Sequence, residues 1–82
     1  MTSAQCRAAR AFLDMTQAKL AEAAALGLST VVDFERTRRD VSSEAINAMR
    51  QALETAGVEF IDENGGGPGV RLKRHSKKNR DR

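Results

Sequence analysis

The chain has 82 residues and a formal net charge of +3, with 40% hydrophobic and 30% charged residues. A chain of this length forms one domain and buries little apolar surface by itself. A single cysteine, Cys6, excludes an internal disulfide, and no stretch reaches the roughly 20 apolar residues that cross a bilayer. The first residues also lack the basic segment and apolar run of a secretory signal. We therefore expect a cytoplasmic protein that does not enter the membrane.

Positive charge is concentrated at the C-terminal end. Seven of the 14 Lys and Arg residues lie between Arg71 and Arg82, where Asp81 is the single acid. That segment has a net charge of +6, whereas residues 1–70 have a net charge of −3. Such an asymmetry favours a polyanionic partner, and a phosphate backbone is the commonest soluble polyanion. No apolar residue follows Leu72, so we predict a basic tail over residues 74–82 that is disordered until it binds its ligand.

The first part of the chain shows helical spacing between capping residues. Thr2 and Gln5 have the form of a capping box and begin a predicted helix that ends near Asp14. Thr16 caps a second helix, and Gly27 then marks a tight turn. The residues predicted to face inward are Cys6, Ala9, Phe12 and Leu13 in the first helix and Leu20, Ala21 and Ala24 in the second.

Two further helices are predicted. From Leu28, the helical spacing of Val31 and Phe34 indicates a third helix of about ten residues. After a polar connection, Ser42 caps a fourth helix that ends at Gly57. The inner face of this fourth helix is predicted to hold Ile46, Met49, Leu53 and Ala56.

The pattern changes to strand-like alternation after Gly57. Val58 and Phe60 alternate with polar residues, and Val70 and Leu72 do so again beyond a glycine-rich segment. This predicts a β-hairpin, which needs a surface to pack on, either the fourth helix or a second subunit. The expected organisation is mainly α: a helical domain over residues 1–57, a hairpin for packing or dimerisation over 58–73, and the basic tail over 74–82.

Two segments resemble a known family. The second and third helices read QAKLAEAA and TVVDFER on either side of a turn, and residues 56–72 read AGVEFIDENGGGPGVRL. The helical arrangement resembles the lambda-repressor-like, or Xre/Cro-type, helix-turn-helix regulators over residues 5–56. The glycine-rich segment is similar to the ending of short bacterial members of that family. The resemblance implies a four-helix lambda-repressor-like domain whose third helix reads DNA, usually as a homodimer on a palindromic operator.

The resemblance also assigns roles to single positions. It implies that Gln17 and Lys19, at the start of the second helix, contact phosphate. Lys19 stands where relatives often have glutamate, a departure that weakens the cap slightly and favours a nearby phosphate. Ala25 stands where relatives usually have glycine, so the turn is expected to be strained or rearranged if that position requires a left-handed backbone. The base-facing positions it implies are Gly27, Leu28, Ser29, Thr30 and Asp33, which supply hydroxyls, an apolar contact and an acceptor for cytosine, but no bidentate reader. From the residues alone, Leu28 is as well suited to the core, and Ser29 to a helix cap.

Basic residues beside the third helix are expected to contact the DNA backbone. Arg36, Arg38 and Arg39 are assigned to phosphate, with pairing to Asp40 or Glu35 as the alternative. The tail offers either a solubilising end or further contacts to phosphate or an adjacent minor groove. The residues considered for those tail contacts are Lys73, Arg74, Lys77 and Lys78.

The sequence argues against an enzyme. His75, the only histidine, lies in the tail, and neither it nor Cys6 has a partner at catalytic or metal-ligand spacing. We therefore predict no cofactor and no metal, and we interpret Cys6 as a core residue and Glu35 and Glu54 as solvated helix surface.

Two functional hypotheses remain. The leading one is a homodimeric, sequence-specific transcriptional regulator, either a repressor or a dual regulator, that binds double-stranded DNA and is associated with the nucleoid. The alternative is an antitoxin-like or anti-activator module that keeps the helix-turn-helix shape but binds another protein through its hairpin.

Overall fold

The computed structural model describes residues 1–63 and 65–73, which form four helices followed by a two-stranded antiparallel hairpin. The helices are α1 (Ser3–Leu13), α2 (Gln17–Ala24), α3 (Leu28–Glu35) and α4 (Ser43–Ala56), and the strands are β1 (Val58–Ile61) and β2 (Gly69–Leu72). The prediction of a mainly α chain with four helices and a hairpin is confirmed. The tail predicted over residues 74–82 lies outside the described residues.

Side-chain caps determine where three of the helices begin. At α1, Thr2 Oγ1 accepts from the Gln5 amide at 3.0 Å, and Gln5 Oε1 accepts from the Thr2 amide at 2.8 Å. The hydroxyl of Thr16 accepts from the Lys19 amide at 3.0 Å, and that of Ser42 from the Ala45 amide at 3.1 Å. The three predicted caps are thus confirmed, and each contributes about 1 kcal/mol to stability.

Left-handed residues end the first two helices. Asp14 follows α1 with φ 54°, and Ala25 follows α2 with φ 58°. The Ala25 amide donates to the carbonyls of Ala21 and Glu22, so the last turn of α2 is closed without a glycine. The left-handed backbone considered for Ala25 is therefore present, and residues 25–27 carry the chain directly from α2 into α3.

One apolar core lies between the helices and the hairpin. It comprises Cys6, Ala9, Leu20, Ala21, Val31, Met49, Leu53, Val58 and Phe60. Two predicted inward residues are exposed instead. Phe12 points outward because the buried face of α1 passes through Gln5, Cys6 and Ala9, and Ala56 is exposed at the last residue of α4.

The hairpin packs on α1 and α4 of its own chain. Val58 pairs with Leu72 and Phe60 with Val70, which places these four apolar side chains on one face of the ribbon. Val58 and Phe60 are buried in the core, and the Arg50 guanidinium lies 5.2 Å from the centre of the Phe60 ring. The fourth helix therefore supplies the predicted packing surface, and α1 extends it. None of the helices in the described part of the chain has the length and apolar character of a membrane span.

Candidate functional site

The third helix buries one face and leaves the other open. Val31 is fully buried in the core, and Glu35 is only 2% exposed at the last residue of α3. On the opposite side Ser29 is exposed, while Thr30 and Asp33 are half-buried. Leu28 is exposed because it is the first residue of the helix. Gly27, the cap residue before α3, is also exposed. The five positions considered as base-facing thus lie together at the accessible side and beginning of α3.

The exposure of Leu28 and Ser29 bears on the two roles left open for them. Leu28 is absent from the buried cluster and from the partly buried residues packed against it, so it has no core role. Ser29 lies within α3, whose cap is Gly27 and has no side-chain hydrogen bond, so the serine is not the cap. Both side chains are free to meet a partner at the surface.

Glu35 is the main correction to the sequence interpretation, which placed it on the solvated surface. Its carboxylate accepts from Arg10 Nε at 2.6 Å and from Arg10 Nη2 at 2.7 Å. It also accepts from the Gln17 side-chain amide at 3.0 Å and from the Cys6 thiol at 3.1 Å. Arg7 donates to the Glu35 carbonyl. The last residue of α3 is therefore held by hydrogen bonds from α1 and α2.

This network shifts the titration of its members. Burial alone would raise the pKa of Glu35, but the hydrogen bonds from Arg10, Cys6 and Gln17 outweigh it and hold the pKa below its usual value. Burial and the neighbouring Glu35 carboxylate raise the pKa of the Cys6 thiol. Cys6 is therefore a protonated core residue that donates to Glu35, as the interpretation of a buried structural cysteine requires.

Gln17 is oriented by the same carboxylate. The hydrogen bond between its Nε2 and Glu35 Oε1 places the beginning of α2 beside the end of α3. A primary amide has two N–H donors, so the contact with Glu35 leaves one of them for another acceptor. Lys19, near the beginning of α2, is exposed, and its Nζ lies 3.9 Å from Glu22 Oε1, a weak surface pair.

The arginines after α3 differ in their surroundings: Arg38 and Arg39 lie beside Asp33, and Arg36 lies at the end of the helix. Arg36 is exposed at the end of α3, next to Thr37, whose φ of 50° turns the chain away from the helix. Arg39 Nε donates to Asp33 Oδ2 at 2.9 Å, and Arg38 Nη1 lies 4.0 Å from Asp33 Oδ1. The partner of these arginines is thus Asp33, whereas the sequence suggested the side chains of Asp40 or Glu35.

Of the tail residues, Lys73 alone lies within the described residues. Its Nζ donates to the Glu54 carbonyl at 2.9 Å, and its amide donates to the Gly57 carbonyl at 2.8 Å. Lys73 therefore ties the end of β2 to the end of α4, where a cation is favoured by the helix dipole. Arg74, Lys77 and Lys78 lie outside the described residues.

Glu54 also departs from the solvated interpretation. It is half-buried, and its carboxylate accepts from Arg50 Nε at 3.1 Å one turn earlier in α4.

Comparison of the sequence with known protein families and with curated proteins finds no match.

Proposed function

We propose that this protein is a sequence-specific DNA-binding transcriptional regulator of the helix-turn-helix type, with α3 as the helix that enters the major groove. The observation that carries the proposal is the division of α3 into a buried face and an accessible one. Val31 and Glu35 fix its position, while Ser29 is exposed on the opposite side. Leu28 is exposed at the first residue of the helix. A major groove about 12 Å wide accepts one helix, and hydroxyl and apolar side chains can contact base edges and thymine methyl groups there.

Cationic and polar residues on both sides of that face support backbone contacts. Because Gln17 reaches Glu35, Gln17 and Lys19 at the beginning of α2 lie near Arg36 at the end of α3. In the proposed complex Gln17 donates its second amide hydrogen to a phosphate, and Lys19, Arg36 and Arg38 contribute charge. Such contacts determine the register of the protein on DNA and carry no sequence information by themselves.

An accessible apolar surface supports a homodimer. Phe12 is 51% exposed on α1, and it borders a hollow that is also lined by Ala8, Pro68 and Val70. Leu72 is 50% exposed at the end of β2. We infer that a second copy covers this surface. A symmetric dimer then presents two α3 helices to half-sites about 34 Å apart on one side of the duplex.

The DNA-binding proposal is tested by titration of the full chain against labelled fragments selected from a random pool and against DNA from upstream of its own coding sequence. Affinity should fall steeply with salt, because each phosphate contact releases a counterion. Arg36→Gln should reduce the slope of log K against log salt by about 1 and weaken binding to every fragment alike. Arg71→Gln is the matched control, because Arg71 pairs with Glu59 on the exposed side of the hairpin.

The two hypotheses are distinguished by this titration. A regulator shifts a selected fragment at low salt and distinguishes it from unrelated DNA. The alternative, an antitoxin-like or anti-activator module, is supported by the same exposed Phe12 and Leu72, which would then contact a different protein. Absence of binding at low salt would favour this alternative.

The dimer is tested by sedimentation equilibrium of the full chain. Phe12→Ser should shift the protein toward the monomer, because it removes the largest apolar side chain of the proposed surface. Leu28→Ser is the control: Leu28 is 48% exposed, close to the 51% of Phe12, but lies on α3. Equal effects of the two substitutions, or an unchanged mass for both, would contradict this placement of the dimer surface.

A further inference from the structure

Asp33 and Arg39 form an ion pair on the accessible side of α3. Arg39 Nε donates to Asp33 Oδ2 at 2.9 Å, although Arg39 belongs to the segment between α3 and α4. Asp33 follows Ser29 by four residues and Thr30 by three, so all three side chains lie along one side of the helix. The contact therefore holds the guanidinium of a loop residue over the surface that faces the bases in the proposed complex.

The remaining donors of Arg39 determine what it can recognise. Its Nε edge is occupied by Asp33, and its Nη1 has only a 3.4 Å contact with the Asp40 carbonyl. Among the described residues, neither Nη nitrogen makes a hydrogen bond to the Asp33 carboxylate, so the outer pair of guanidinium nitrogens has donors left for another acceptor. Two parallel N–H donors match the O6 and N7 acceptors that guanine presents in the major groove, which is the commonest specific contact between protein and DNA.

A phosphate contact would give no reason for this arrangement. A phosphate contact does not need a carboxylate beside the arginine, and the negative charge of Asp33 would oppose the approach of a phosphate group. A base-reading arginine gains from the same carboxylate, because the ion pair orders the side chain before binding and reduces the entropy lost on contact.

We propose that Arg39, oriented by Asp33, is a specificity-determining residue that selects a guanine at one base pair of each half-site. This inference rests on the proposed DNA-binding function and deepens it. It replaces the phosphate contact that the sequence suggested for Arg39, and it supplies the bidentate reader that α3 itself lacks. Asp33 acts through Arg39 and is a positioning residue.

The structure offers a matched control in the neighbouring arginine. Arg38 and Arg39 have similar side-chain exposure, 55% and 52%, but the Arg38 guanidinium lies 4.0 Å from the Asp33 carboxylate and makes no hydrogen bond to it. The contact of Arg38 with Asp33 is a backbone hydrogen bond, from its amide to the Asp33 carbonyl at 2.9 Å. Removal of either arginine changes the net charge equally. Of these two arginines, only Arg39 should alter the base preference when it is substituted.

The test selects fragments from a random DNA pool with the full-length wild type and with the variants Arg39→Gln, Asp33→Ala and Arg38→Gln. Wild type should require guanine at one position of each half-site, and Arg39→Gln and Asp33→Ala should both lose the preference at that same position. Replacing that G·C pair by A·T should weaken wild-type binding by about 5- to 150-fold, and Arg39→Gln binding far less. Arg38→Gln should retain the preference and bind all fragments more weakly.

Three other outcomes of this experiment would overturn the inference. If Arg39→Gln and Arg38→Gln weaken all fragments equally and retain the wild-type preference, then Arg39 is a phosphate contact, and the DNA-binding function stands without the guanine reader. If Asp33→Ala alters a different base pair from Arg39→Gln, the positioning role of Asp33 is wrong. If the wild type binds no fragment at low salt, both the inference and the proposed function fail.

Discussion

The guanidinium of Arg10 donates two hydrogen bonds to the carboxylate of Glu35, from Nε at 2.6 Å and from Nη2 at 2.7 Å. The Glu35 side chain is 1% exposed and that of Arg10 is 20% exposed, so the pair joins α1 to the end of α3 in a largely dehydrated setting. Arg10 also donates from Nη1 to the Met15 carbonyl at 3.0 Å. This ion pair holds the last residue of α3 against α1. It thereby helps to fix the orientation of the side of α3 that faces DNA in the proposed complex.

Removal of Arg10 should be costly. Arg10→Met leaves the Glu35 carboxylate buried without its cation, and breaking one side of a buried pair typically costs about 3–5 kcal/mol. We expect a large fall in the urea concentration at the midpoint of unfolding, measured by circular dichroism. The double variant Arg10→Met with Glu35→Leu should recover much of the loss, because no charge then stays buried. Arg71→Met, which breaks an exposed pair with Glu59, should change the midpoint little. A double variant as unstable as Arg10→Met alone would contradict this account.

The same carboxylate should make stability depend on acid. Glu35 has a pKa below its usual value in the folded protein, because hydrogen bonds from Arg10, Cys6 and Gln17 outweigh the effect of burial. Its stabilisation is therefore complete above the pKa of the unfolded chain, about 4.3, and is lost as the pH falls through the lower folded value. Unfolding free energies of wild type and Glu35→Gln, measured from neutral pH downward, should differ most at neutral pH and converge in acid. A difference that is constant with pH would show that the ionised form of Glu35 is not what stabilises the fold.

Local features of the fold were predictable from the sequence, and tertiary pairs were not. The caps at Thr2, Thr16 and Ser42 depend on hydroxyls next to the amides they accept from, so a local pattern is sufficient. Glu35 was misplaced because a charged residue at a helix end is usually solvated. A signal was present: Glu35 follows buried Val31 by four residues, just as Arg10 follows buried Cys6. This spacing places both charged residues in line with the buried faces of their helices, but it does not show that they contact each other.

The contact between Asp33 and Arg39 had no comparable signal. The two residues are six positions apart, and the path between them depends on Thr37, whose positive φ reverses the chain after α3. A β-branched residue seldom adopts that conformation. Neither the turn at Thr37 nor the resulting contact of Arg39 with α3 could therefore be inferred from the backbone preferences of the residues. The proposed reader is therefore visible only in the folded protein.

The left-handed backbone of Ala25 should respond to glycine. An L-residue with side chain in this conformation costs about 1–2 kcal/mol, whereas glycine adopts it freely at some cost in chain entropy. With φ at 58°, Ala25→Gly should stabilise the protein by about 0.5–1 kcal/mol and raise the thermal midpoint. Ala23→Gly is the control, because Ala23 is an exposed residue inside α2 and its replacement should destabilise by about 1 kcal/mol. Destabilisation by both variants would mean that the turn between α2 and α3 does not hold Ala25 in this conformation.

Gln5 should control the attachment of the hairpin. Its buried side chain donates to the Gly69 carbonyl at 2.8 Å and lies 3.4 Å from the Ile61 carbonyl, so one amide joins α1 to both strands. Gln5→Leu keeps the volume but leaves the Gly69 carbonyl without this donor and removes the return bond to the Thr2 amide. An unsatisfied buried group costs about 1–3 kcal/mol, so global stability should fall by that amount. Hydrogen exchange should show faster opening of the amides of β1 and β2, with those of α3 changed less. Gln51→Leu, at an exposed position of α4, should leave both measurements near wild type. Equal acceleration of exchange in α3 and in the hairpin would show instead that the hairpin opens only when the whole domain unfolds.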